Sequence, residues 1–84
     1  MPHLFLTRRF QKSFERLDVK NQERIKNALL KIKDNPGTGK RLTGDLDGEF
    51  SYRVGDYRII YTVEGENIWV ETVSHRRDVY KRQK

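Results

Sequence analysis

The chain has 84 residues, with 18 Lys and Arg against 12 Asp and Glu, a formal net charge of +6. That length holds one small core, so a single domain over 1–84 is expected, and the basic balance favours an anionic partner. Cysteine is absent, which excludes disulfide scaffolds, thiolate metal sites and cysteine nucleophiles. The longest early apolar run, Leu4-Phe5-Leu6, is too short for a signal peptide or a membrane span. A soluble, cytoplasmic protein with no membrane partner is expected.

In chain order, His3 to Leu6 reads as a short strand, ending where Thr7 caps a helix. Phe10, Phe14 and Leu17 then fall at i, i+4 and i+7, one apolar helical face. Asp18 offers a second N-cap, and Ile25, Ala28, Leu29 and Ile32 continue the helical spacing. Pro36-Gly37 ends that helix, because proline disfavours helical backbone at the preceding residue. Gly37 to Gly48 reads as a loop.

Beyond it the period changes from 3.6 to 2. Phe50, Tyr52 and Val54 alternate with Glu49, Ser51 and Arg53 up to a two-residue turn at Gly55-Asp56. Tyr57, Ile59, Tyr61 and Val63 alternate with Arg58, Ile60 and Thr62, and Ile68 to His75 forms the last strand. The fold class is therefore α+β: a short N-terminal strand and a two-helix hairpin packed on one face of an antiparallel meander.

The first turn sets a register in which Val54 faces Tyr57 and Arg53 faces Arg58, on the face away from the helices. Like charges directly opposite are destabilising, so the pair is either a tolerated surface cost or an anion site. If Gly65-Glu66 is also a two-residue turn, Arg58 pairs with Val73. His75 then falls on the arginine face, diagonal to Arg58, with Trp69 and Val73 on that side too. Arg76 follows, and Tyr80 can fold back towards the same place. Arg77, Lys81 and Arg82 add positive charge to the tail.

Such a set suits phosphate chemistry on RNA, whose 2′-hydroxyl is its own nucleophile. Arginines bind phosphate through paired donors, and a Tyr or His ring stacks on an unpaired base. No metal-ligand cluster is visible, and Gly37-Thr38-Gly39-Lys40 lacks P-loop spacing, so no cofactor is expected. The plainer reading keeps Arg53 and Arg58 as solvated arginines, His75 as structural and the tail as an ordinary basic terminus.

Three segments carry a resemblance: Arg41-Leu42-Thr43-Gly44-Asp45-Leu46-Asp47-Gly48, Tyr52-Arg53-Val54-Gly55-Asp56-Tyr57-Arg58-Ile59-Ile60-Tyr61 and His75-Arg76-Arg77-Asp78-Val79-Tyr80. In this order they resemble the RelE/ParE toxin superfamily. The resemblance implies a type II toxin neutralised by an acidic antitoxin protein. In its RelE-like branch it implies a metal-independent endoribonuclease that cleaves mRNA in the ribosomal A site. The alternatives are a ParE-like poison of DNA gyrase and a non-catalytic RNA- or ribosome-binding module. Position by position, the RelE-like catalytic arginine matches Arg58, the basic residue of the preceding strand Arg53, the later arginine Arg76 and the C-terminal tyrosine Tyr80. His75 stands where some relatives have Lys or His. A further RelE-like lysine, two residues before Arg53, is replaced by Ser51.

Overall fold

The computed structural model describes residues 2–41 and 48–77. β1 (His3–Leu6) leads through Thr7 into α1 (Arg8–Glu15), and Asp18 opens α2 (Val19–Asp34). A single 3-10 turn, Pro36–Thr38, precedes β2 (Lys40–Arg41); β3 (Glu49–Val54), β4 (Tyr57–Glu64) and β5 (Asn67–His75) follow. The five strands form one sheet in the order β1-β5-β4-β3-β2. β1 runs parallel to β5, and the other neighbours are antiparallel.

Local chemistry accounts for the helix boundaries. Thr7 Oγ1 accepts a hydrogen bond from Phe10 N–H at 3.1 Å, and Asp18 Oδ1 accepts one from Asn21 N–H at 3.0 Å. Each side chain satisfies one of the amides that a helix start leaves without a carbonyl. Asn35 repeats the device on the 3-10 turn, accepting from Gly37 N–H at 3.2 Å.

Both helices lie on one face of the sheet. Phe10, Ile25, Ala28, Leu29 and Ile32 meet Ile59, Tyr61, Ile68, Val70 and Val73 in one buried cluster, edged by Phe50, Tyr52, Val54 and Tyr57. This is the apolar face that strand alternation predicts, since residues two apart point the same way.

The sheet departs from the expected arrangement in three places. β1 completes it in parallel beside β5 (Leu4 opposite Ile68, Leu6 opposite Val70), a long-range pairing with no local signal. Lys40 and Arg41, expected in a loop, form a two-residue edge strand on β3. The third departure is a register shift. Both turns have two residues, and Val63 faces Ile68 and Tyr61 faces Val70 as expected, but the pairing slips between Ile60 and Tyr61. Ile60 pairs with Thr72, so Glu71 is the extra residue of a β-bulge. A bulge leaves strand carbonyls short of ladder partners, and here Thr7 supplies them. Its hydroxyl lies 2.9 Å from the Glu71 carbonyl oxygen and 3.1 Å from that of Val70, and its amide donates to Val70 O at 3.2 Å. The residue that caps α1 thereby fastens it to β5 at the bulge.

The loop after α2 is pinned from the core. Tyr61 Oη donates to Pro36 O at 2.8 Å and accepts from Gly39 N–H at 3.0 Å. A side chain at position 39 would overlap the phenol oxygen, so the close approach requires glycine. Burial raises the Tyr61 pKa above its ordinary value, opposed by the Gly39 amide and reinforced by Tyr52. The folded chain therefore favours the neutral phenol. Its contribution to stability is complete below the unfolded value of about 10 and is lost as pH rises through the folded one. Tyr61→Phe should cost about 1–3 kcal/mol near neutrality, since it strands the Gly39 amide and the Pro36 carbonyl. It should also remove this group's share of the alkaline destabilisation. Urea melts of both proteins at neutral pH and above pH 10 check it: a constant gap between them would contradict the account.

Candidate functional site

The face of the sheet away from the helices carries the candidate site. Arg53 on β3 and Arg58 on β4 are directly opposite one another, as the Gly55-Asp56 turn requires. Gly55 has φ +60°, the left-handed conformation that a tight hairpin needs and glycine adopts without a Cβ penalty. Because β4 lies between β3 and β5, the Arg58 backbone is held on both sides. Both side chains are exposed. Arg53 Nε donates to Gly55 O at 3.4 Å, and among the described residues the Arg58 side chain has no hydrogen-bond or ion-pair partner.

Arg76 joins this end of the hairpin. Its backbone N–H donates to Asp56 O at 2.8 Å, which ties the segment after β5 to the turn between β3 and β4. Arg77 is exposed beside it. Tyr80, Lys81 and Arg82 lie outside the described residues.

His75 is not on the arginine face. The bulge at Glu71 shifts everything after it by one residue, so His75 pairs with Tyr57 and Arg58 with Ser74, not Val73. His75 meets the Tyr57 ring edge-on, with centroids 5.2 Å apart and planes at 89°. Its Nδ1 accepts the Arg77 backbone N–H at 3.2 Å, so in the neutral ring Nε2 carries the proton. Val73 likewise moves to the core side, where it is buried. Trp69 does keep the outer face, opposite Thr62 and stacked on Phe5 with centroids 4.6 Å apart.

The next row along the outer face is Lys40, Ser51, Ile60 and Thr72. Ser51 and Thr72 are buried, so this row adds two hydroxyls beside the arginines and, at its β2 end, one cation, the exposed Lys40. Among the described residues, no group of three or more His, Cys, Asp or Glu side chains is placed to hold a metal ion. No helix of the described residues is long and apolar enough to cross a membrane.

One arginine at this end of the molecule escaped the sequence reading. Arg24, exposed on α2, lays its guanidinium over the same turn: a Cβ at position 55 would come within 2.7 Å of its Nη2. In sequence it is one of several charged residues on a solvated helical face, and only the packing of α2 beside the hairpin singles it out.

Comparison with known proteins decides the family. The family described as the ParE toxin of type II toxin–antitoxin systems, parDE, matches residues 4–80. The chain belongs to that family, and so to the RelE/ParE toxin superfamily. It is also similar to toxin RelG of Mycobacterium tuberculosis, 41% identical over 46 residues, a stretch spanning 52% of this chain and 53% of RelG. In structure the toxin resembles the RelB–RelE antitoxin–toxin complex of Methanococcus jannaschii, at TM-score 0.80 and 24% identity over 95% of this chain and 99% of that one. It resembles the isolated Escherichia coli RelE toxin at TM-score 0.78 and 20% identity over the whole of both chains. At such identities the two structures speak for the fold.

Proposed function

We propose that this toxin is a ribosome-dependent mRNA endoribonuclease of the RelE-like kind. The observation that carries the reading is the Arg53–Arg58 pair, two guanidinium groups that no described carboxylate neutralises, side by side on an exposed sheet face, with Arg76 tied in at the same turn. Holding like charges there costs stability that a bound phosphate recovers.

In this reading Arg58 and Arg76 stabilise the charge that develops on a pentacovalent phosphate, and Arg53 positions the strand. The 2′-oxygen attacks the adjacent phosphorus and the bond to the 5′-oxygen breaks. One proton leaves the 2′-hydroxyl and one reaches the departing oxygen. The products are a 2′,3′-cyclic phosphate and a free 5′-hydroxyl. Arginine stays protonated throughout and serves poorly as a base. With His75 on the opposite face of the sheet and a serine at position 51, the group taken for proton transfer is the one that the family resemblance supplies, Tyr80.

The match to the ParE family favours a second reading, inhibition of DNA gyrase. Two assays separate them. Primer extension on mRNA from programmed ribosomes should show toxin-dependent breaks in the A-site codon, while gyrase supercoiling proceeds unimpeded. Intact mRNA with inhibited supercoiling would replace the first reading by the second.

The natural partner in either case is an acidic antitoxin, as the complexed relatives suggest. The net charge of +6 should steer its approach, and the exposed Phe5–Trp69 stack should then accept apolar side chains. Stopped-flow association should slow markedly as salt rises from low to physiological strength. A rate indifferent to salt would refute the steering.

A further inference from the structure

The Gly55-Asp56 turn is a meeting point for arginines from four separate places in the chain. Arg53 reaches the turn from β3, bonding the Gly55 carbonyl. Arg58 leaves it on β4, directly opposite. Arg76 is held to the Asp56 carbonyl by its own amide. Arg24 comes from α2, its Nη2, Cζ and Nη1 at 2.7, 3.3 and 3.3 Å from where a Cβ on Gly55 would stand. The packing needs a glycine there for a second reason besides the turn's φ.

Among the described residues these four cations have no counter-charge. Among the described residues the Arg24 side chain has only Asn21 Oδ1, at 3.5 Å, as a polar partner, and the Arg53 side chain only the Gly55 carbonyl. Among the described residues no carboxylate pairs with any of the four, and Asp56, within the turn, makes no ion pair. An arginine kept for structure is usually spent on a carboxylate or on several carbonyls. Arg24 instead rests an exposed guanidinium over a turn, next to a proposed phosphate site. Lys20, one helical turn earlier on the same exposed face, continues the positive surface along α2.

We infer that Arg24 binds a second phosphate of the same RNA strand. The anionic site does not end at the sheet: the strand crosses the hairpin turn, with one phosphate at Arg53 and Arg58 and a neighbouring one at Arg24. This rests on the phosphate site proposed above and adds the path by which the RNA leaves it.

The test uses the full chain and a single-stranded RNA oligonucleotide whose 2′-positions are O-methylated, so that binding is read without cleavage. Affinity is measured across a salt series for wild type, Arg24→Gln, Arg58→Gln and Lys33→Gln. Lys33 is also exposed on α2, about 13 Å further along its axis, and its loss removes the same charge. Glutamine retains a stem over Gly55, and thermal melts should show all four proteins folded. Arg24→Gln and Arg58→Gln should each weaken binding roughly tenfold. Each should also flatten the slope of log K against log salt by about 0.7, the value for one lost phosphate contact on a single strand. Lys33→Gln should leave the slope unchanged. If Arg58→Gln weakens binding while Arg24→Gln behaves like Lys33→Gln, the second phosphate site is wrong and the first stands. If Arg58→Gln has no effect, the phosphate site itself fails and the extension with it. An Arg24→Gln variant that loses affinity for an acidic antitoxin peptide but none for RNA would likewise overturn the assignment.

Discussion

Arg58→Ala should abolish most of the cleavage of ribosome-bound mRNA proposed for this toxin and leave its fold intact. Removing one donor to a developing oxyanion typically costs about 10²–10³ in rate. The Arg58 side chain is exposed and forms no bond to the rest of the described chain, so truncation strands no partner. Relief of its repulsion with Arg53, directly opposite, should keep the stability change within about 0.5 kcal/mol. Arg58→Lys should recover only part of the rate, because a point charge lacks the two-pronged donor geometry of guanidinium. Single-turnover cleavage on programmed ribosomes, paired with a thermal melt, reads both effects. Wild-type cleavage by the alanine variant would remove Arg58 from the mechanism, and unfolding would make it structural.

Phe10→Ala should have the largest effect on stability. Phe10 is the one buried residue of α1, 1% exposed, and its ring stacks on Phe14 with centroids 5.7 Å apart. An eight-residue helix does not hold itself together in water, so α1 depends on this anchor and on the Thr7 cap. A Phe-to-Ala truncation in a core costs about 3–5 kcal/mol. An 84-residue domain has only about 4–13 kcal/mol in total, at about 0.05–0.15 kcal/mol per residue. The melting temperature should fall by roughly 12–40 °C, at about 4–8 °C per kcal/mol for a domain of this size. A fall of less than about 5 °C, near what 1 kcal/mol produces, would mean that α1 is fastened by its cap alone. Since α1 does not reach the arginines, residual folded protein should still cleave at the wild-type rate.

Most of this architecture is legible in the sequence because its signals are local. Thr7 and Asp18 cap the helices that follow them, and the helical spacing from Phe10 to Leu17 and from Ile25 to Ile32 marks the faces that become buried. Gly55-Asp56 sets the β3–β4 register, and with it the Arg53–Arg58 pair, because a two-residue turn leaves no slack. The placement of His75 and Val73 is lost at one residue. Glu71 sits in an unbroken run of strand formers, and no glycine marks the bulge. The cause lies 64 residues away, where Thr7 takes the carbonyls that the bulge leaves over. Parallel pairing of β1 beside β5 is equally invisible to a local pattern, since His3 and its partner Asn67 stand 64 positions apart. Arg24 is the same kind of omission: its spacing says exposed helix, and only tertiary packing carries it to the turn.

The central claim is that the arginine face holds a phosphate while the RNA's own 2′-hydroxyl attacks it. The most direct measurement replaces a single A-site nucleotide of the mRNA, the one 5′ to the scissile phosphate, by its 2′-deoxy form. This modified mRNA is offered to the toxin on programmed ribosomes beside the all-ribose message. The ribose message should be cut to a 2′,3′-cyclic phosphate and a 5′-hydroxyl, and the deoxy message should survive while the toxin still binds its ribosome. Cleavage of the deoxy message at a comparable rate would contradict the claim, because the nucleophile would then have to come from elsewhere.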